Sequence, residues 1–212
     1  MVPFYEKWIR RFPDFASLTD AKFSEIYPYW QGLGYNRRGL NLQKAAQKAI
    51  TEYQGKLPQD ILLLEAFPGI GPYTARAVSI FAFNTPVACI ETNIRRVFIH
   101  HFFEDKSSIS DKQISKLAEL ALDKKRSREW HWALMDYGAY LKTQVPNPNR
   151  RAKNYTIQSK FDGSLRQIRG RVLRNLATGS KTARALKVRK TVLGALEKEG
   201  FIVYKNKQYS LA

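Results

Sequence analysis

The apolar pattern of this chain predicts a mainly α-helical protein in two parts. A large helical domain spans 1–143. After a linker at 144–155 comes a small basic domain over 156–212, read as three helices closed by a β-hairpin. Three observations carry this reading. Apolar residues recur at helical spacing through most of the chain. Near its end, FIVY at 201–204 and QYSL at 208–211 flank Lys205, Asn206 and Lys207, a strand–turn–strand pattern. Charge is uneven: residues 150–212 hold 16 Lys and Arg against 3 acids, while 1–149 hold 20 against 15, within a net charge of +18.

That charge points to a polyanionic partner, nucleic acid first. A hydrophobic content of 44%, with 4 Trp, 11 Tyr and 12 Phe, supplies a core and excludes a disordered basic tail. Cys89 is the only cysteine, so no disulfide forms within the chain. Neither a signal-peptide pattern nor an apolar run of membrane-spanning length is present, so the expectation is a soluble, cytoplasmic protein with no membrane partner. Protein partners cannot be read from it.

Taken in order, Phe4, Trp8 and Phe12 predict a helix over 2–12. Thr19 and Asp20 are candidate caps for a short helix holding Phe23, Ile26 and Tyr27. Gly32 and Gly34 mark a loop, and a long helix then runs to about Tyr53. Residues 57–66 give a short helix entered at Pro58. FPGIGPYTA at 67–75 follows, a tight turn opening a helix that runs to about Phe83 and is expected to be buried. Gly69 and Gly71 permit backbone angles closed to other residues, and neither blocks a ligand. Pro72 suits the first helical position. The free N–H groups and dipole of that helix end attract an anion such as a DNA phosphate.

Glu91 precedes the next helix, with Thr92 as a candidate cap. Residues 110–122 and 128–142 give two more helices. His100 and His101 are adjacent and lack an HxxxH or cysteine partner, so they are read as structural or DNA-facing, and no metal site is predicted. Beyond the Pro- and Asn-rich linker, residues 165–176, 182–186 and 187–199 supply the three helices before the hairpin. That order resembles the winged-helix DNA-binding class.

Several segments together resemble one family. They are FPGIGPYTA with Glu91, Asn93, Arg95 and Arg96 after it, WQGLGYNRRGLNLQKAA at 30–46, and ALMDYGAYL at 133–141. They are similar to the helix-hairpin-helix (HhH-GPD) DNA glycosylase superfamily, and to MutY-type adenine glycosylases more than to endonuclease III. The resemblance covers roughly residues 2–142. It implies base-excision repair: hydrolysis of the N-glycosidic bond of a mispaired base in double-stranded DNA, adenine opposite guanine or 8-oxoguanine. A non-catalytic DNA-binding protein on a glycosylase scaffold is the alternative.

The resemblance also implies roles. Glu91 falls at the catalytic carboxylate, where it would stabilise an oxocarbenium-like sugar; helix capping alone would also account for it. Gly69, Ile70 and Gly71 would hold phosphate through backbone N–H groups. Tyr35 would be a wedge in the base stack, the alternative being a packed loop tyrosine. Arg37 and Arg38 read as phosphate contacts or as solvated charges. Tyr73, Asn93, Arg95 and Arg96 complete the expected DNA-binding set.

Four departures qualify the match. The family position of Glu91 is normally Asp. Tyr73 stands where endonuclease III has its lysine nucleophile, which implies a monofunctional enzyme, since a tyrosine forms no Schiff base. Where many members carry four cysteines, this chain has Gln144, Pro146, Asn147 and Pro148, so no iron–sulfur cluster, and no other cofactor, is expected. The upstream segment that supplies a second acid, a Glu, and a Gln has no counterpart here. The domain is therefore expected to be N-terminally truncated relative to the family, and this form to bind DNA but to cleave slowly or not at all.

Overall fold

The computed structural model describes residues 2–104 and 106–212. The elements are α1 (Val2–Arg11), α2 (Phe15–Thr19), α3 (Phe23–Trp30), α4 (Arg37–Tyr53), α5 (Ile61–Glu65), α6 (Pro72–Phe83), α7 (Thr92–Phe102), α8 (Asp111–Ala121), α9 (Ser127–Gln144), a 3-10 turn (Pro148–Arg151), α10 (Leu165–Leu176), α11 (Ala183–Leu186), α12 (Lys190–Lys198), β1 (Ile202–Lys205) and β2 (Gln208–Leu211). They gather into two compact units that do not follow chain order. The first joins the residues up to Lys56 with Gln158–Ala212, and the second is Leu57–Ile157.

In the first unit, the C-terminal helices and hairpin share one core with α3 and α4. Phe23, Tyr27 and Leu40 pack with Val172, Leu173, Leu176, Leu193, Leu196 and Phe201. The last residue joins in, as the Ser24 N–H donates to the Ala212 carbonyl at 2.8 Å. The hairpin forms as expected, with Ile202 opposite Leu211 and Lys205 opposite Gln208. Its two turn residues, Asn206 and Lys207, have φ of 51° and 60°. That left-handed pair is what a two-residue turn matched to strand twist demands. A second cluster of Phe12, Leu18, Ala21, Ile26 and Ala46 seats α1 and α2 against α3 and α4.

The caps of this unit differ from expectation. Asp14 caps α2, a helix the apolar spacing had not revealed, by accepting from the Ser17 N–H at 2.8 Å. Thr19 and Asp20 therefore end a helix, and Lys22 with Glu25 opens α3.

The second unit is built on α7 and α9. Ile94, Phe98, Ile99 and Phe103 pack against Ile109, Ile114 and Ala118, with Trp130 and Leu134 at the edge. The crossing is tight: a Cβ on Gly138 would sit 2.2 Å from the Asn93 carbonyl oxygen, so no larger residue fits there without moving backbone. Residues 144–155, expected as a linker, are part of this unit. Pro148 and Asn149 are buried, and the Ile109 N–H donates to the Arg151 carbonyl at 3.0 Å. The Arg151 guanidinium donates to carbonyls of Ile99, Phe103 and Glu104. The Pro and Asn content that signals a turn here builds a docked 3-10 turn.

Candidate nucleic-acid interface and catalytic carboxylate

Phe67 to Tyr73 forms the expected turn between α5 and α6. Gly69 has φ 76°, a left-handed angle that favours glycine. Gly71 does not: at φ −98° and ψ 178° it is extended, a conformation any residue adopts, and a Cβ there would meet nothing within 4 Å. No side chain caps α6, and Pro72 starts it. The dipole end and first-turn N–H groups thus carry no side-chain acceptor, the arrangement that takes an anion. Tyr73 is about half exposed. The helix itself is only partly buried, with Ala75, Ser79 and Ile80 inside.

Three bonds fix the segment that leads to Glu91. Arg76 donates to the Ala88 carbonyl at 3.4 Å, and the Cys89 thiol donates to the Tyr73 carbonyl at 3.7 Å. The Cys89 N–H donates to Nε2 of His131 at 3.2 Å. Nδ1 of His131 lies 2.6 Å from the Ser127 carbonyl, which accepts its proton and so fixes the neutral tautomer with Nε2 as acceptor. Burial lowers the pKa of His131, outweighing the Ser127 bond, and raises that of Cys89 to about 11. Both groups therefore stay uncharged at neutral pH.

Glu91 is the N-cap of α7, not Thr92: its Oε1 accepts from the Asn93 N–H at 2.6 Å. Its other oxygen has no hydrogen-bond partner among the described residues.

The remaining residues predicted in this unit are turned to internal contacts. Arg96 is 4% exposed and donates to Asn93 Oδ1, at 2.6 Å, and to the Gly138 carbonyl. It ties α7 to α9 and is not offered to a phosphate, which corrects the expected DNA contact. Arg95 makes a bidentate pair with Asp111, at 2.8 and 2.9 Å. Asn93 links the Glu91 cap to Arg96. Nε of Arg96 and Oδ1 of Asn149 are buried without hydrogen-bond partners among the described residues, and both residues line a cavity of about 290 Å³. The rings of His100 and His101 meet edge-on with centroids 4.6 Å apart, and Nε2 of His101 lies 2.8 Å from the Tyr137 hydroxyl. No group of three His, Cys, Asp or Glu fit to hold a metal occurs among the described residues. No helix of the described residues is long and apolar enough to cross a membrane.

Tyr35, Arg37 and Arg38 lie in the first unit. Trp30 donates from its indole to the Gly34 carbonyl at 3.1 Å and fixes the loop from below. Tyr35 follows at φ 47° and is 67% exposed, so the ring is presented outward from a backbone angle that tyrosine rarely takes. Arg37 is exposed and pairs with Glu199 at 2.7 Å. Arg169 pairs bidentately with the same carboxylate, at 2.9 and 2.7 Å. The hydrogen bonds from Arg169, then that from Arg37, hold the Glu199 pKa down at about 2. Arg38 is exposed, without a carboxylate partner among the described residues. Sequence reasoning missed Glu199 and His131. One of three acids in a basic stretch, Glu199 signals pairing only by being outnumbered; nothing local marks the histidine.

A hairpin opening a helix, followed by a carboxylate cap on the next, defines a helix-hairpin-helix glycosylase-type protein. The chain belongs to the HhH-GPD superfamily of base excision DNA repair proteins, whose family model matches residues 1–123. It is 32% identical over 173 residues to an adenine DNA glycosylase of Buchnera aphidicola subsp. Baizongia pistaciae, covering 79% of this chain and 48% of that protein. It is 34% identical over 144 residues to the adenine DNA glycosylase of Mycolicibacterium smegmatis, covering 66% and 48%. The chain thus spans about half the length of these relatives. Among solved structures, a thermostable thymine-DNA glycosylase matches with a TM-score of 0.57 and 27% identity, covering 65% of this chain and 64% of that one. An endonuclease III in a non-covalent DNA complex matches in fold, with a TM-score of 0.58 and 22% identity over 68% of each chain.

Proposed function

We propose that this protein is a monofunctional DNA glycosylase that hydrolyses the N-glycosidic bond of a mispaired base in double-stranded DNA, adenine opposite guanine or 8-oxoguanine. The observation that carries the reading is Glu91 itself. Its carboxylate is fixed by one oxygen at the start of α7, past the hairpin and α6, and the other oxygen has no hydrogen-bond partner among the described residues. As the glycosidic bond breaks, positive charge develops on the sugar, and a preorganised anion beside it lowers that barrier. Tyr73 offers no amine, so the reaction stops at base release.

Gly69, Ile70 and Gly71 bind a DNA phosphate at the uncapped start of α6. The C-terminal helices and hairpin act as a basic winged helix and add affinity of the salt-dependent, sequence-independent kind. No iron–sulfur cluster is bound: the residues do not fit one, because Cys89 is the single thiol and burial keeps it protonated. The adenine DNA glycosylases among its relatives support adenine as the base released.

The Asn93 bond favours one rival, a non-catalytic DNA-binding protein in which Glu91 is only a helix cap. Single-turnover release of adenine from duplexes with adenine opposite guanine separates them. The enzyme reading expects slow release that Glu91→Gln reduces by about 10²–10³-fold, the scale seen when one preorganised electrostatic group is lost, with duplex affinity intact. Release that Glu91→Gln leaves unchanged contradicts the catalytic role, and equal binding without any release favours the rival.

A further inference from the structure

The second unit buries a charge that no carboxylate answers. Arg96 is 4% exposed, yet its guanidinium forms no ion pair among the described residues. Only one of its nitrogens is used. Nη1 donates to Asn93 Oδ1 and to the Gly138 carbonyl, while Nε and Nη2 have no hydrogen-bond partner among the described residues. Asn149, also 4% exposed, has its amide oriented by one bond. Nδ2 donates to the Thr92 carbonyl at 3.0 Å, and Oδ1 is left without a donor. Both residues line a cavity of about 290 Å³ between the start of α7 and the segment 147–156. Its charged walls are Arg95, Arg96 and Asp111, so two cations against one carboxylate leave one positive charge. Asp111 is held bidentately by Arg95, which leaves Arg96 as the uncompensated group. Every other lining residue except Ala152 ends in a hydroxyl or an amide.

We propose that this cavity binds a small phosphate, a tetrahedral oxyanion that also carries a hydroxyl group. A buried charge without a partner is costly, and a bound anion removes that cost. The Nε–Nη2 edge of a guanidinium is a fork that takes two phosphate oxygens at once. Asn149 Oδ1 only accepts, so it needs a donor on the same ligand. Protonated phosphate supplies that donor, and so does the sugar of a phosphate monoester; sulfate and a simple carboxylate do not. Water or a neutral sugar would satisfy the amide and leave the Arg96 charge unanswered. With about 30 Å³ for each water, the cavity has room for an oxyanion and a small sugar beside it. Inorganic phosphate and a small phosphate monoester share this chemistry. The backbone of a duplex does not reach a guanidinium set this deep.

The test is binding and stability, so it stands apart from base release. Isothermal titration calorimetry is run with inorganic phosphate, ribose 5-phosphate and sulfate, each at matched ionic strength. One of the two phosphates should bind at a single site per chain, and the tighter one names the source. Sulfate should bind at least about tenfold more weakly, because it leaves Asn149 Oδ1 unpaired. At about a hundred times its dissociation constant, the phosphate should raise the melting temperature by roughly 5 °C over chloride. Asn149→Asp sets a fixed carboxylate in the cavity and should weaken phosphate binding by at least about tenfold. Asn154→Asp changes an exposed lining residue, where folding is not at risk, and should weaken it by about fivefold. Circular dichroism checks the fold of both. Failure of both phosphates to bind, sulfate binding as tight as phosphate, or parent-like phosphate affinity in both variants overturns the proposal. Loss of phosphate binding in the presence of a saturating duplex also overturns it, because the DNA backbone is then the occupant.

Discussion

Around Glu91 the groups that hold the carboxylate in place are neutral and buried: the His131 imidazole, the Cys89 thiol and amide, and a helix crossing too close for a side chain at Gly138. Around Tyr35 the corresponding groups are charged and near the surface, with Arg37 and Arg169 sharing Glu199. Chemistry at a developing positive charge needs a fixed anion, so its supports are close-packed and insensitive to salt. A surface for a polyanion needs spare cations, so its one acid is outnumbered. The difference teaches that the two regions should fail under different conditions.

The largest effect is expected at the crossing of α7 and α9. Gly138→Ala puts a Cβ into the Asn93 carbonyl, and displaced backbone there should cost about 3 kcal/mol, the upper range for an overpacked core. Urea denaturation measures it. A loss under about 1 kcal/mol would mean the crossing is loose and Glu91 less rigidly placed.

His131→Phe is next. It keeps a buried ring and leaves the Cys89 N–H unpaired, at about 1–3 kcal/mol. It also removes a pH dependence. The folded pKa of His131 lies below its ordinary 6.5, so the unfolded chain binds the proton more readily. Its contribution is complete above that value and is lost as the pH falls below it. The parent should therefore lose stability on acidification through pH 6.5, and the variant should show a flatter profile there.

Glu199→Gln probes the other region. The carboxylate's pKa is about 2 when folded against 4.5 when unfolded, so its contribution is complete above 4.5 and is lost as the pH falls toward 2. With solvent screening the loss should be about 1–2 kcal/mol. It should shrink in high salt, unlike the loss from His131→Phe. Equal salt dependence in the two variants would dissolve the contrast between the regions.

Gly71→Val should change stability least, by under about 0.5 kcal/mol, since the backbone is extended and the space open. Duplex affinity is where it should act, because the branched side chain stands where phosphate must approach the α6 N–H groups. Normal affinity would take the hairpin out of the interface.

Local signals made much of this legible. The α4 and α6 boundaries, the hairpin turn at Gly69 and the two-residue turn at Asn206 each follow from a few neighbouring residues. What stayed hidden was long-range. Nothing near Phe23, Tyr27 or Leu40 says that their partners lie at 172–201, so the first unit read as two separate domains. Arg96 reads as a surface cation because burial of a guanidinium depends on acceptors from Gly138, 42 residues away. Asn149 and Arg151 read as part of a linker because the contacts that dock them come from α7. The catalytic candidate was legible in position through the family resemblance, with capping as the other reading of it; that the cap accepts from the Asn93 N–H was not legible.

The double role proposed for Glu91, cap and catalytic anion, is tested most directly by two substitutions that both keep a capping side chain and differ in charge. Asp and Asn are about equally good N-caps. Single-turnover base release and thermal stability would be measured for Glu91→Asp and Glu91→Asn. The account predicts similar melting temperatures for both, release within about tenfold of the parent for Glu91→Asp, and a loss of at least about 10²-fold for Glu91→Asn. Undiminished release by Glu91→Asn would show that Glu91 only caps α7, and the catalytic assignment would be contradicted.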